Sequence, residues 1–294
     1  MNLERALALA VGDHGRTRDV VFREAGVELR CRVNEDNLWV AVKDVLLLGE
    51  YERAGIRLRD ASGIVVDAGA HVGLFALLAS VHARQVVALE AHPDNHALLE
   101  ANIARNLRSN VVARRKALWS SDGTTTFVEG PDTSAGSVVR GRGGRQLTVP
   151  SVRLDSIFEE TGPIDLLKLD VEGAEFDVLD ATSDEALLLT RAIVGELHLE
   201  DRAERLEPLV DRLRSLGFTT TVRRPPVYYW SESMQALWRN RRRIRGEARL
   251  RLTVPAIYTV VALVDPLIQV RERLGGTDFA FIYARQAIGT ERGG

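Results

Sequence analysis

Ile64-Val-Val-Asp67-Ala-Gly69-Ala-His71-Val-Gly73, followed by Leu74–Ser80 and then by Gln85-Val-Val-Ala-Leu-Glu90, decides the fold. Ile64 to Ala68 is a short, β-branched, almost wholly apolar run, which reads as a strand buried on both faces. Glycines end it, and Leu74–Ser80 then reads as a helix. Gln85–Glu90 repeats the strand pattern. Strand, glycine turn, helix and strand form a βαβ unit, and such a unit requires a parallel sheet.

The same rhythm extends in both directions. Pro93 stands where a helix begins, and His96–Asn106 carries helical periodicity. Asn110–Ala113 gives a third strand, Ile164–Leu169 a fourth and Ala192–Glu196 a fifth. Phe218–Val222 gives a sixth, and Phe279–Ala284 is the last. The prediction is an α/β fold: a mostly parallel seven-stranded sheet with helices on both faces. Residues 1–60 are expected to form an N-terminal extension, with a hairpin around Val20–Arg30 and a helix ending near Tyr51. Residues 61–294 form the main domain. Ser121-Asp-Gly-Thr-Thr marks a second hairpin turn, and a helical insert is expected over about 225–276, before the last strand.

Composition narrows the class. The 294 residues carry 39 basic and 41 acidic side chains, a net charge of -2, with 45% hydrophobic and 27% charged residues. Those values are ordinary for a globular chain and exclude a disordered or coiled-coil reading. One cysteine, Cys31, excludes an internal disulfide framework and any cysteine-cluster metal site. Balanced charge argues against whole-surface nucleic-acid binding. Ala6–Val11 is too short for a signal-peptide core, so a cytoplasmic location is expected. Leu252–Val270 approaches membrane length, but it holds two prolines, Asp265 and Gln269, against the ~20 mainly apolar residues a spanning helix needs.

Two clusters carry the chemistry. In Asp67-Ala-Gly69-Ala70-His71-Val-Gly73 the glycines are four apart, whereas a dinucleotide fingerprint needs Gly-x-Gly-x-x-Gly. The spacing suits a ligand without a pyrophosphate, whose ammonium and carboxylate meet an acid and helix amides. The alternative is a glycine turn that merely packs strand on helix. Glu90 ends the second strand, where an acid accepts hydrogen bonds from the ribose of an adenosine cofactor; a solvated strand-end carboxylate is the plain alternative. Ala117-Leu118, after the third strand, falls where an adenine ring would lie.

The second cluster is Ile164-Asp-Leu-Leu-Lys-Leu-Asp170-Val-Glu172-Gly173-Ala-Glu175. A buried strand delivers Asp170 and Glu172 to its carboxyl end, the ligand edge of an open α/β sheet. Paired carboxylates there repel unless a cation lies between them. Glu175 sits in the first turn of the next helix, where the dipole favours an acid.

Together these residues resemble the FkbM family of S-adenosylmethionine-dependent methyltransferases, from about Tyr51 to Glu196. Leu166–Glu175 is the most specific piece, supported by Val65–Gly73, Glu90-Ala-His-Pro93 and Leu154-Asp155-Ser. The resemblance implies a class I methyltransferase (Rossmann-like) sheet with its last strand antiparallel between its neighbours. It implies S-adenosyl-L-methionine as cofactor and methyl transfer to a hydroxyl of a sugar, polyketide or lipid-linked metabolite. On that basis Asp67, Gly69, Ala70, His71 and Gly73 surround the methionine part, Glu90 the ribose and Ala117 the adenine. Asp170 stands at the sulfonium or acceptor edge.

A hydroxyl is a poor nucleophile until its proton is taken. Glu196-Leu-His198 supplies the expected base: alternation puts both side chains on one side of the strand, with His198 as base and Glu196 orienting it. A half-buried histidine satisfied by a neighbour is the alternative. Asp170, Glu172, Glu196 and His198 would also suit magnesium or manganese, although no metal is assigned. Asn/Asp-Pro-Pro-Tyr/Phe, which marks many amino-group methyltransferases, is absent after the fourth strand. The rival functions are an NAD-dependent oxidoreductase and a non-catalytic, membrane-docking adapter.

Seven arginines lie between Arg239 and Arg251 with one acid, Glu247, beside the apolar run Leu252–Val264. That pattern fits a cap over the acceptor, contact with an anionic membrane surface or, more weakly, nucleic acid.

Overall fold

The structure is a computed structural model describing residues 17–34, 42–129, 137–138, 144–199, 202–224, 244–245 and 279–286. The hairpin comes first, Thr17–Glu24 (β1) and Val27–Asn34 (β2). Ala25 and Gly26 join them with φ of 45° and 84°, the positive pair that a two-residue hairpin turn needs. A π-helical segment follows over Val42–Leu48. The chain then gives Ile64–Ala68 (β3), Leu74–Ala79 (α1), Gln85–Leu89 (β4), Pro93–Arg105 (α2) and Val111–Arg114 (β5). Ala117–Leu118 (β6), Gly123–Val128 (β7) and Gln146–Val152 (β8) form a small separate sheet. Leu154–Thr161 (α3), Ile164–Leu169 (β9), Glu175–Ala181 (α4), Asp184–Leu188 (α5) and Ala192–His198 (β10) come next. Leu206–Ser215 (α6), Phe218–Arg223 (β11), Ile244–Arg245 (β12) and Phe279–Gln286 (β13) complete it.

The large sheet has the order β11-β13-β10-β9-β3-β4-β5. It is parallel except for β13, which runs antiparallel to both of its neighbours. Period-two alternation sorts the strand residues into two cores. Val65, Val86, Leu166, Val194 and Phe281 join one buried cluster with α1 and the hairpin's Phe22, Leu29 and Cys31. Their neighbours Val66, Val87, Leu167, Ile193 and Ile282 join the other, under the helices from α3 to α6. Both faces are covered, as the uninterrupted apolar strands require.

The entry segment is fastened to this frame by polar clips. Asn102 of α2 accepts from Arg32 N (2.7 Å) and donates to Arg32 O and Val72 O (both 2.8 Å). Asn106 repeats the pairing on Arg30 N and O, so helix amides satisfy a strand edge that would otherwise lie unpaired. Glu50, fully buried, takes Arg53 at 2.9 Å, Arg223 at 2.8 Å and the Tyr283 hydroxyl at 3.3 Å. These contacts tie the turn before Tyr51 to β11 and β13.

Of the expected helical insert, only Ile244–Arg245 is described, and it is a strand: β12 pairs antiparallel with β1, Phe22 opposite Ile244. The rest of 225–276 lies outside the described residues, and with it the other arginines of the 239–251 cluster and their proposed membrane contact. No helix among the described residues is long and apolar enough to cross a membrane.

Candidate active site

A cavity of about 310 Å3 opens across the carboxyl ends of β4, β3, β9 and β10. Its wall includes Gly69, Ala70, His71 and Glu90 on one side and Asp170, Glu172 and Glu196 on the other. Ala117, Leu118 and Phe127 of the small sheet close it with an apolar slot.

The glycine turn is built by backbone contacts. Leu89 O accepts from both Gly69 N (3.0 Å) and Ala70 N (2.8 Å), pinning the turn to the end of β4. Gly69 has φ 75°, and a Cβ there would stand 1.7 Å from Asp170 O; two strand ends meet at a distance only glycine allows. Gly73 has φ 91°, and its Cβ would stand 2.5 Å from Leu99 Cδ1. Gly69 therefore serves both the cavity and the packing. Gly73 packs against Leu99 of α2 and is not among the residues that line the cavity.

Glu90 is held for hydrogen bonding. His71 N donates to its Oε2 at 2.8 Å and His92 N to its Oε1 at 2.9 Å. A carboxylate accepts about four hydrogen bonds, so lone pairs remain for a ligand in the cavity. Burial raises its pKa to about 7 against the pull of the two amides.

Asp67 also departs from its expected place. It is fully buried, outside the cavity wall, and stands opposite Lys168 in the β3–β9 register. Lys168 Nζ lies 3.3 Å from Asp67 Oδ1 and 3.5 Å from Asp170 Oδ2, and donates to Gly69 O at 2.8 Å. Lys168 thus lies between Asp67 and Asp170 rather than between the expected pair Asp170 and Glu172, and Glu172 meets the His198 ring instead. Burial favours its neutral form, yet Asp67 and Asp170 outweigh that and hold its pKa above the ordinary value. Asp170 also accepts from the Tyr51 hydroxyl at 2.8 Å. Burial and Asp170 together keep that phenol protonated, and its ring rests edge-on against Phe75 and Phe281.

His198 is not oriented by Glu196. Its Nδ1 meets Glu175 Oε1 at 3.1 Å and its Nε2 meets Glu172 Oε2 at 3.3 Å. Burial favours the neutral ring, but the hydrogen bonds to both carboxylates prevail and raise its pKa to about 11. A charged ring with both nitrogens engaged has no lone pair for a substrate proton, and His198 lies outside the cavity wall. The role of base is therefore corrected: His198 is a structural cation. Glu175 also accepts from Val171 N and Gly173 N and so fixes the turn after β9. Glu196 does face the cavity.

Lys168 and Tyr51 escaped the sequence reading. Lys168 left a signal, a lysine alone in a buried strand two residues before Asp170. Tyr51 left none, since it reaches Asp170 across 119 residues. Phe127 likewise arrives from the second hairpin. Among the described residues, no group of three or more His, Cys, Asp or Glu side chains converges as a metal site.

One antiparallel strand between β11 and β10, together with a cavity across the carboxyl ends of the parallel strands, defines a class I methyltransferase fold. The chain matches the family model described as "Methyltransferase FkbM domain" over residues 67–219, more than half its length. It belongs to the FkbM methyltransferase family. Over 219 residues it is 29% identical to the 31-O-demethyl-FK506 methyltransferase FkbM of Streptomyces tacrolimicus, covering 63% of this chain and 83% of that one. It is 32% identical over 217 residues to AMB antimetabolite synthetase AmbE of Pseudomonas aeruginosa, covering 59% of this chain but spanning only 10% of that protein. A crystal structure of Methyltransferase FkbM from Methylobacillus flagellatus KT is 16% identical, with a TM-score of 0.42 over 65% of this chain and 51% of that one.

Proposed function

We propose that the protein transfers a methyl group from S-adenosyl-L-methionine to a hydroxyl of a small-molecule or glycan acceptor. The observation that carries this reading is the single cavity shared by the Gly69–His71 turn, Glu90 and the Ala117–Phe127 slot. Among the described residues the cavity wall holds five acids, Asp44, Glu90, Asp170, Glu172 and Glu196, against two lysines, Lys116 and Lys168. Such a wall suits a cationic ligand. S-adenosylmethionine fits that donor set: a sulfonium and an ammonium for the acids, a ribose for Glu90, an adenine for the slot.

When bound, the donor supplies an activated methyl group, so the protein's work is alignment and exclusion of water. Glu90 orients the ribose through the lone pairs its two amide partners leave free. Phe127, Ala117 and Leu118 take the flat apolar ring. Asp170, held by Tyr51 and Lys168, fixes negative potential where the cation lies. An oxygen acceptor draws support from the relative whose name carries 31-O-demethyl-FK506, and from Asp170-Val-Glu-Gly after β9, where amino-group enzymes carry a proline-rich loop.

Calorimetry with S-adenosylhomocysteine tests the donor. Micromolar binding is the expected result; no binding, with NAD bound instead, would replace this reading by a dehydrogenase. Mass spectrometry of extract metabolites incubated with labelled donor tests the acceptor: the product gains one methyl on oxygen.

A further inference from the structure

Five acids among the described residues line the cavity, and the structure engages them unequally. Glu90 holds two backbone amides. Asp170 holds Tyr51 and Lys168, and Glu172 holds the His198 ring. Asp44 is buried with a partner of its own. Glu196 makes no hydrogen bond or ion pair among the described residues, although it stands in the cavity wall.

Its position in the sheet gives that freedom a use. Strands β4, β3, β9 and β10 are consecutive neighbours. At ~4.8 Å per strand, the β10 end lies roughly 14 Å from the β4 end that carries Glu90. Ribose at Glu90 and the methionine part at the Gly69 turn would occupy the β4–β3 half of the cavity, which would leave the β9–β10 half, lined by Asp170, Glu172 and Glu196, for an acceptor. Gly195 is level with Leu169, so Glu196 stands level with Asp170, one strand farther along on that acceptor side.

We infer that Glu196 is the catalytic residue that takes the proton from the acceptor hydroxyl, an assignment that rests on the donor and hydroxyl reading above. The hydroxyl oxygen forms the new O–C bond with its lone pair as the S–C bond breaks and its electron pair returns to sulfur. The hydroxyl proton passes to the Glu196 carboxylate, which becomes a carboxylic acid and later releases that proton to water. Atoms and charge balance: the donor's positive charge leaves as the proton.

The surroundings suit this task. The charged and titratable groups facing Glu196 are Asp44 from the π-helical segment, Tyr51, Asp170 and Glu172 after β9, and His198 on its own strand. Burial, then Asp170, raise its pKa well above the ordinary glutamate value, and His198 opposes them. A carboxylate of higher pKa, when ionised, is the stronger base.

Glu196→Gln and Glu196→Asp test the assignment in the full-length protein. Three readouts apply: calorimetry with S-adenosylhomocysteine, transfer of labelled methyl from S-adenosylmethionine to the small-molecule fraction of a cell extract, and carbon-detected NMR of the glutamate carboxyls. The expected result is S-adenosylhomocysteine affinity within about threefold of wild type and transfer lowered ~100-fold or more in Glu196→Gln. Glu196→Asp recovers part of the rate. The wild-type rate rises with pH through a limb that Glu196→Gln lacks, and the carboxyl resonance lost in Glu196→Gln titrates above the ordinary value of about 4.3. Transfer by Glu196→Gln within threefold of wild type overturns the assignment, as does a matching loss of S-adenosylhomocysteine affinity or an ordinary titration. Wild-type protein that fails to bind S-adenosylhomocysteine overturns the donor reading instead. Wild-type protein that binds it and methylates no hydroxyl overturns the acceptor reading, and this assignment with it.

Discussion

Replacing Lys168 by methionine keeps most of the side-chain volume and removes one charge from the middle of the site. Its side chain is 5% exposed and that of Asp67 is 0% exposed. The variant therefore leaves Asp67 in the core with no counter-charge, and leaves Gly69 O without its 2.8 Å donor. Removing one partner of a buried ion pair costs about 3–5 kcal/mol. At ~2–4 °C per kcal/mol for a domain of this size, the melting temperature should fall by roughly 6–20 °C near neutral pH.

The pH dependence separates this cause from simple loss of packing. Burial already raises the Asp67 pKa against the pull of Lys168, and without Lys168 it rises further. A carboxyl whose folded pKa exceeds its unfolded value binds more protons folded than unfolded, so stability falls as pH rises between the two values. The variant should accordingly regain about 1.4 kcal/mol per unit of acidification over that window, seen as a melting temperature that climbs as the pH is lowered from neutral toward the unfolded carboxyl value of about 3.9. Scanning calorimetry across that range is the assay. Adding Asp67→Leu to Lys168→Met should restore most of the loss and remove the pH slope. A Lys168→Met protein that melts within 2 °C of wild type, or whose deficit ignores pH, would refute the reasoning.

Other expectations follow from single contacts. His198→Ala strips the counter-charge from Glu175, which is fully buried, and from Glu172, so stability should drop by about 3 kcal/mol, while S-adenosylhomocysteine binding measured in the cold persists. In the wild type the His198 contribution is complete below its unfolded pKa of ~6.5 and is lost as pH rises through about 11; denaturant midpoints should therefore decline on the alkaline side. Gly69→Ala sets a Cβ against Asp170 O at 1.7 Å, so calorimetry should show S-adenosylhomocysteine affinity lost together with several degrees of melting temperature. Phe127→Ala opens the apolar slot and should weaken S-adenosylhomocysteine and free adenosine alike by about tenfold, together with a fall in melting temperature, since Phe127 is buried against Ala91, Ala117 and Val149.

What the sequence discloses tracks how local each determinant is. Strands β3, β9 and β10 are continuous apolar runs bounded by glycine or acids, so periodicity places them within a residue or two. The two clusters, Asp67–Gly73 and Asp170–Glu175, are equally local and stand out as written. Orientation is less local. Alternation along β10 puts Glu196 and His198 on one side, yet His198 turns to Glu172 and Glu175, which belong to the next strand's end and its helix. Spacing within one strand says nothing of a partner supplied by another. Asp67 fails for the same reason: its place opposite Lys168 is a register fact, and register emerges only when β3 and β9 pair. Tyr51 depends on the Glu50 clip to Arg223 and Tyr283, contacts that no window on the sequence spans.

Charge distribution explains why one sheet end tolerates so many acids. Lys168 serves Asp67 and Asp170; the His198 ring serves Glu172 and Glu175. Each cation is buried and each answers two carboxylates, which makes it costly to remove and keeps it out of proton transfer. The arrangement therefore assigns roles by elimination as well as by position. Acids that own a cation hold shape and potential, and Glu90, which owns amides, holds direction. Among the described residues Glu196 owns neither, and burial beside Asp170 raises its affinity for a proton. The proposed binding of a cation and release of a proton would need such a division, because one carboxylate cannot both anchor a permanent ion pair and change its charge at every turnover.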